Sequence, residues 1–212
     1  MLKIEQLTVG PLRTNCYIAW NDETMTGFIV DPGENPEKIL GCVAKLGITI
    51  THIFITHGHF DHILALPQIK RETNAQICVY RDDAFRLMSM EGSLYHHFMG
   101  NRVFEGVPAD VQFADGDTVE AAGETWTVIH TPGHSEGSCC YDNGKVLFTG
   151  DTLFATSCGR TDFDGGSGKS MQKSLALLAS LEGERDCYPG HDRAFTLTEA
   201  RRINPMLWGI GQ

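Results

Sequence analysis

The chain has 212 residues, 42% of them hydrophobic, with 27 acidic side chains against 17 basic ones and a formal net charge of −10. That length and apolar content suit one full hydrophobic core, and no Pro/Ser-rich or single-sign tract divides the chain, so a single domain over 1–212 is expected. The acidity, with no basic run beyond Arg201-Arg202, disfavours nucleic acid as a partner, because its phosphates would meet repulsion. Alternating or apolar runs at 2–9, 15–20 and 26–30 predict an antiparallel meander that ends in the turn Asp31-Pro32-Gly33. Pro36, then Ile39, Leu40, Val43 and Leu46 at helical spacing, then Gly47, predict a helix over 36–46. A strand at 51–55, a helix over 61–73 and a strand at 76–80 complete a βαβαβ run, which sets helices against a sheet. Residues 84–107 fit neither period and read as a partly helical insertion placed to cover a site. Strands follow at 111–113, 117–121, 124–130, 137–141 and 145–149, punctuated by Gly116, Gly123, Gly137 and Gly144. A helix over 169–181, a strand at 185–188 and a helix over 197–203 close the pattern, with Met206-Leu207-Trp208 expected to pack on the core. Two halves, each strands then helices, predict two sheets face to face with helices outside.

The most informative stretch is Thr56-His57-Gly58-His59-Phe60-Asp61-His62, directly after the apolar run Ile53-Phe54-Ile55. Two histidines spaced i, i+2 on an extended segment project to one side, and imidazole with carboxylate suits zinc, iron or manganese. Buried without a metal, such a cluster would leave donors and acceptors unpaired at roughly 1–3 kcal/mol each. Three more ligand types sit in tight turns at predicted strand ends: His134 in Thr131-Pro132-Gly133-His134, Asp151 in Thr149-Gly150-Asp151-Thr152, and His191 in Tyr188-Pro189-Gly190-His191. Together they supply five His and two Asp, enough for two metal ions with a carboxylate between them and a position open to water. The same ligand set accepts several metals. His52 and His130, at strand ends, are expected to be packed, and His96 and His97 to be solvated, with His97 or Tyr95 as the candidates to line a channel.

Seven cysteines with no C-x-x-C pair argue against a disulfide framework and against a zinc ribbon, leaving most of them as buried small hydrophobes and Cys158, before Gly159-Arg160, as the exception. No apolar stretch approaches the ~20 residues of a bilayer span, and Met1-Leu2-Lys3-Ile4-Glu5 lacks the layout of a signal peptide. No membrane partner and a cytoplasmic location are therefore expected.

On His57, His59, Asp61, His62, His134, Asp151 and His191 the sequence is similar to the metallo-β-lactamase superfamily, whose pattern H-x-H-x-D-H, then H, D and H, is met at every position. The resemblance covers roughly residues 2–205 and implies an α/β fold, the four-layer αβ/βα sandwich, with the site at one edge of the two sheets. It implies that His57, His59 and His134 hold a first metal, that Asp61, His62 and His191 hold a second, and that Asp151 bridges them with a water or hydroxide. Two divalent ions, zinc foremost and iron or manganese also compatible, then imply hydrolysis, with Asp61 also catalytic through orienting the nucleophile. One departure is Ile63-Leu64-Ala65-Leu66, where relatives often carry glycines.

Within the superfamily, Gly150-Asp151-Thr152-Leu153-Phe154 followed by Cys158-Gly159-Arg160-Thr161-Asp162-Phe163 resembles the glyoxalase II group, thioesterases acting on S-lactoylglutathione and related acyl thiols. The resemblance implies a small-molecule thioester substrate, contacts to it from Arg160 and Tyr188, and a monomer or small homo-oligomer. Full-length members carry a C-terminal helical domain that grips glutathione, whereas 21 residues follow His191 here. The match is to the short form. The rival is persulfide dioxygenase, which resembles the chain over Cys158 to Phe163 and Tyr188 to Asp192 and binds a single iron through residues corresponding to His57, His134 and Asp151. A third alternative is a metal-binding module without catalysis.

Overall fold

Alternation along the strands sorts side chains into chemically different layers. In β1 (Leu2–Val9), β2 (Thr14–Asn21), β3 (Thr26–Val30), β4 (Thr49–Ile55), β5 (Gln76–Tyr80) and β6 (Val111–Phe113), Ile18, Ile29, Ile53, Ile55, Ile77 and Val79 point to one face. Their neighbours Tyr17, Phe28, Val30, Phe54, Cys78 and Tyr80 point to the other. The aliphatic face receives helix α1 (Pro36–Leu46), whose Ile39 and Val43 are buried, and the later helix α3 (Leu66–Thr73), whose Leu66 and Ile69 join the same cluster. The aromatic face meets a second sheet made of β7 (Thr118–Ala121), β8 (Glu124–His130), β9 (Cys139–Asp142), β10 (Val146–Gly150), β11 (Asp186–Pro189) and β12 (Phe195–Thr196). Its outer face carries Cys140, Leu147 and Cys187 against α5 (Gly168–Ser180) and α6 (Leu197–Ile203). The result is helices, sheet, sheet, helices, as expected.

This computed structural model describes residues 1–100 and 103–208; positions 101 and 102 of the anticipated insertion and the last four residues of the anticipated domain lie outside the described residues. The first sheet runs in order β1 to β6, antiparallel through β3 and parallel from β3 to β6. In the second the order is β12-β11-β10-β9-β8-β7, with β10 and β11 the parallel pair. Aromatic rings bolt the sheets together. Phe54 stacks on Tyr141 at 4.7 Å and tilts against Phe28 at 4.6 Å, and Tyr141 donates from its hydroxyl to Ile55 O at 2.9 Å.

Two expectations are corrected. No continuous helix runs over 61–73: α2 (Phe60–Ile63) ends before α3 begins, because Pro67 has no N–H to give the Ile63 carbonyl and its ring would crowd it. The Ala65 N–H instead donates to Pro32 O at 2.9 Å. Of Met206-Leu207-Trp208, Leu207 alone enters the core, while Trp208 stays 62% exposed. Around the region 84–107 the chain forms a 3-10 turn over Arg81–Met88 followed by the short helix α4 (Tyr95–Met99). Among the described residues no helix is long and apolar enough to cross a membrane. Phe54→Ala should lower unfolding free energy by about 3–5 kcal/mol, the cost of an aromatic truncation in a closed core, measured by urea denaturation at fixed metal loading.

Candidate metal centre

Every predicted ligand lies just past the end of a strand, on the same edge of the sandwich. His57, His59, Asp61 and His62 follow β4, His134 follows β8, Asp151 follows β10 and His191 follows β11. The parallel pairings β3·β4 and β10·β11 bring consecutive strand ends to one edge, so residues distant in sequence become neighbours there. His57 ring approaches His59 and His134 at 4.7 Å each and His62 at 4.1 Å between centroids. The structure brings all seven together.

The imidazoles are held from behind. His57 Nδ1 lies 3.1 Å from Thr56 Oγ1, His62 Nδ1 lies 2.9 Å from Asp31 Oδ2, and His134 Nδ1 donates to Arg160 O at 2.7 Å. Fixing one ring nitrogen by a second group selects the tautomer and aims the other nitrogen, the arrangement that metal-binding histidines use. Among the described residues, His57 Nε2, His59 Nε2, His62 Nε2 and Asp151 Oδ1 are buried without a hydrogen-bond partner. Left so, each would cost roughly 1–3 kcal/mol, so the donor set fits cations better than it fits an empty core. Ligand atoms of His57, His59 and His134 lie within 4.8 Å of one another, as do those of Asp61, His62 and His191. Asp151 stands between the groups, 3.6 Å from His62 Nε2 and 3.5 Å from both His134 Nε2 and His191 Nε2.

Three supports were not found in the sequence. Asp31, read there as a turn residue, is buried and accepts from Thr56 N at 2.8 Å and Thr56 Oγ1 at 2.7 Å as well as facing His62. Asp83 accepts from Gly58 N at 2.7 Å, Ser135 Oγ at 2.7 Å, Gly137 N at 2.9 Å and the wholly buried Arg86 at 3.0 Å, tying the His57–His59 loop to the His134 loop. At the start of β2, Thr14 donates to Asp61 Oδ2 at 2.9 Å, and Asn15 and Tyr17 donate to Pro189 O at 3.0 and 2.6 Å, seating the turn before His191. An Asp-x-x-Arg pair and a polar strand residue have no local pattern that marks them. Close approach also dictates glycine: a Cβ on Gly190 would stand 2.2 Å from Asp151 Oδ1, and one on Gly33 1.7 Å from Asp61 O.

Burial, reinforced by neighbouring imidazoles, pushes His57 and His59 well below the ordinary histidine range, which keeps them neutral ligands. Burial opposes charge on His62 too, but Asp61, Asp151 and Asp31 outweigh it and raise its pKa to about 10. Burial works against Asp61 as an anion, yet His62, His191 and Thr14 hold its carboxyl well below the usual carboxylate range. In the metal-free chain a proton on His62 therefore stands where a cation would. Because this pKa is raised on folding, its contribution to stability is complete below about pH 6.5 and is lost as pH rises through about 10. Metal uptake at pH 7 should accordingly release protons, measured by calorimetry in buffers of different ionisation enthalpy, and the urea midpoint of metal-free protein should fall between pH 7 and 10. Asp31→Ala should weaken metal binding roughly 10–100-fold by freeing the His62 ring, read by competition with a chromophoric chelator.

His59, Asp61, His134, Asp151 and His191 line a pocket of about 370 Å³ walled by Leu12, Phe60, Leu94, Phe98, Phe154 and Phe163, with His57 and His62 buried behind them. Arg160 borders it, its guanidinium doubly bonded to Asp162 at 2.7 Å and stacked 4.0 Å over Phe163. Tyr188 is not brought to the pocket: its ring packs between the sheets against Tyr17 and Phe148 at 5.4 and 5.6 Å. From the insertion, Leu94 and Phe98 reach the pocket, whereas His96 and His97 are exposed and Tyr95 is buried, donating to Val103 O at 3.1 Å. His130 is stacked on Tyr80 at 4.0 Å, and His52 is bonded to Thr51 at 2.9 Å.

Comparison with known proteins agrees with this geometry. Residues 9–191 match the family described as the metallo-beta-lactamase superfamily. Hydroxyacylglutathione hydrolase GloC of Haemophilus influenzae is 29% identical over 211 residues, covering 97% of this chain and 98% of its own. The crystal structure of BLEG-1 B3 metallo-beta-lactamase superposes with a TM-score of 0.92 at 30% identity, covering 98% of this chain and all of that one. TTHA1623 in a di-iron-bound form gives 0.83 at 31% identity, covering 96% of this chain and all of its own. ETHE1 from Myxococcus xanthus gives 0.76 at 30% identity, covering 96% of this chain and 83% of its own. With its ligand pattern, its two-sheet sandwich and these matches in accord, the chain belongs to the metallo-β-lactamase superfamily.

Proposed function

We propose that the chain is a glyoxalase II-like metallohydrolase, a thioesterase that cleaves S-lactoylglutathione or a related small acyl thioester with two divalent ions, zinc foremost. One observation carries the reading: the converging ligand groups His57/His59/His134 and Asp61/His62/His191 lie on either side of Asp151, which lines the pocket, while a third group, Asp31/His57/His62, joins them from behind. A structural site needs four ligands and no open position. The single-iron dioxygenase reading uses His57, His134 and Asp151 and leaves the Asp61/His62/His191 group without a role. Likeness to the Haemophilus hydrolase supports the thioester over other hydrolysable bonds, and the likeness to the di-iron TTHA1623 makes iron the first alternative metal. Seven free cysteines suit a reducing compartment, which supports the cytoplasm.

In this reading His57, His59 and His134 would hold one ion and Asp61, His62 and His191 the other, with Asp151 available to both. Such a pair would supply a hydroxide near neutral pH and a Lewis acid for the developing oxyanion. The chain's own residues do the rest. Thr14 fixes Asp61 so that the carboxylate can accept a hydrogen bond from the nucleophile and orient it. Phe60, Phe98 and Phe163, with Phe98 stacked at 5.2 Å on Phe60 and edge-on at 5.9 Å to Phe163, form a wall that excludes bulk water from the acyl group. Arg160, braced by Asp162, presents its remaining guanidinium edge to the thiol half of the substrate.

Metal analysis of protein purified without added metal, with turnover on the same sample, tests this. Two equivalents and cleavage of S-lactoylglutathione are expected; one equivalent of iron, no cleavage, and oxygen uptake with glutathione persulfide would replace the proposal by the dioxygenase. Asp61→Asn with metal content verified should lower kcat by about 10²-fold, the lower end of what a positioned acid–base group contributes, and undiminished turnover would remove the orienting role.

A further inference from the structure

Beside the ligand-lined pocket lies a second cavity of about 950 Å³, and the two share Gly159 and Arg160 in their walls. One side of the second cavity is the beginning of α5, with Lys169 and Lys173, and the other is the turn Pro205, Met206 and Trp208. Its floor is apolar, formed by the buried Met171 and Leu175. The charge distribution here is opposite to that of the chain. The protein carries 27 acidic and 17 basic side chains, yet the described lining includes Lys169 and Lys173, with Arg160 already paired to Asp162, and no Asp or Glu. A cationic concavity in an acidic protein concentrates field lines on anions and steers them inward.

Both lysines are exposed and stand four residues apart on one face of α5, about 6 Å along the axis at the α-helical rise. That spacing lets them engage two anionic groups of one small molecule. Met206 and Trp208, 45% and 62% exposed, offer apolar surface for the chain linking those groups. Arg160, common to both cavities, lies where this groove adjoins the pocket that His59, His134 and Asp151 line.

We propose that the groove between α5 and the 205–208 turn is the subsite for an anionic thiol carrier, whose carboxylates or phosphates lie on Lys169 and Lys173 while its sulfur end passes Arg160 toward the ligand-lined pocket. The direction of the sulfur end rests on the thioesterase reading above; the anion site does not. Substrate choice is then made at two places: the aromatic pocket takes the acyl group, and the α5 groove takes the carrier.

Trp208 provides a readout independent of turnover. Fluorescence of the metal-loaded protein is titrated with S-methylglutathione, with desulfo-coenzyme A, and with neutral S-methyl-N-acetylcysteamine, with Trp208→Phe as the control that assigns the signal. Saturable quenching by one or both anionic probes and none by the neutral probe is expected, and the probe that binds identifies carboxylate or phosphate as the anion. K169Q/K173Q should weaken that binding roughly three- to tenfold, as loss of two exposed ion pairs predicts, and raising NaCl from about 0.05 to about 0.5 M should weaken it as well. Lys145→Gln, on the turn between β9 and β10, should leave it unchanged. Equal binding by the neutral probe, or affinity indifferent to the double substitution, would overturn the subsite. Thioester cleavage without anion-dependent binding would overturn the subsite and keep the hydrolase, whereas anion-dependent binding without cleavage of any thioester would do the reverse.

Discussion

Buried imidazole nitrogens with no hydrogen-bond partner among the described residues are the constraint around which this molecule is organised. His57, His59 and His62 each bury an unpaired Nε2, and Asp151 buries an unpaired carboxylate oxygen in the same small volume. Desolvating that many polar atoms without compensation would consume much of the stability of a domain this size. Cations resolve the cost, and the arrangement around them keeps each donor aimed. Thr56, Asp31 and the Arg160 carbonyl each hold the far nitrogen of one histidine, so rotamer and tautomer are set before any ion arrives.

Such precision has to come from a stiff frame, and the two-sheet core provides it. The rings of Phe28, Phe54, Trp126, Tyr141 and Phe148 fill the space between the sheets, so the ends of β4, β8, β10 and β11 move as one body. Polar contacts then carry that rigidity into the loops. Tyr17 and Asn15 hold the Pro189 carbonyl from the opposite sheet, and Asp83 with Arg86 clamps the loops of His57–His59 and His134 together. The segment from the 3-10 turn Arg81–Met88 to Phe98 is therefore part of the site's support through Asp83 and Arg86 and part of the pocket wall through Leu94 and Phe98. A segment without regular period does both tasks because each needs position and not periodicity.

How much of this could be read from the chain alone depends on the range of the interaction. The ligand set was legible because Thr56-His57-Gly58-His59-Phe60-Asp61-His62 is too polar to follow a buried strand for any packing reason, and because three Gly-containing strand-end turns each offered a further ligand. The layers were legible because each half of the chain reads as strands followed by helices, a pattern that sets two sheets face to face with helices outside. The break between α2 and α3 has its local cause in Pro67, inside the span 61–73 expected as one helix, where two short helices and one long one have the same hydrophobic pattern. Tyr188, expected at the substrate from the family resemblance, is turned by alternation along β11 into the space between the sheets.

By itself, then, the sequence determined which atoms are available for coordination and which faces of the strands are apolar, since both follow from residue type and local spacing. Tertiary structure decided that Asp31, Asp83, Arg86 and Thr14 serve the site, that Tyr188 does not reach its pocket, and that a cationic groove opens beside it. Those outcomes depend on pairs separated by tens to hundreds of residues, such as Thr14 with Asp61 and Asn15 with Pro189. Side-chain chemistry limits what each residue can donate or accept; only the closure of the two sheets chooses its partner.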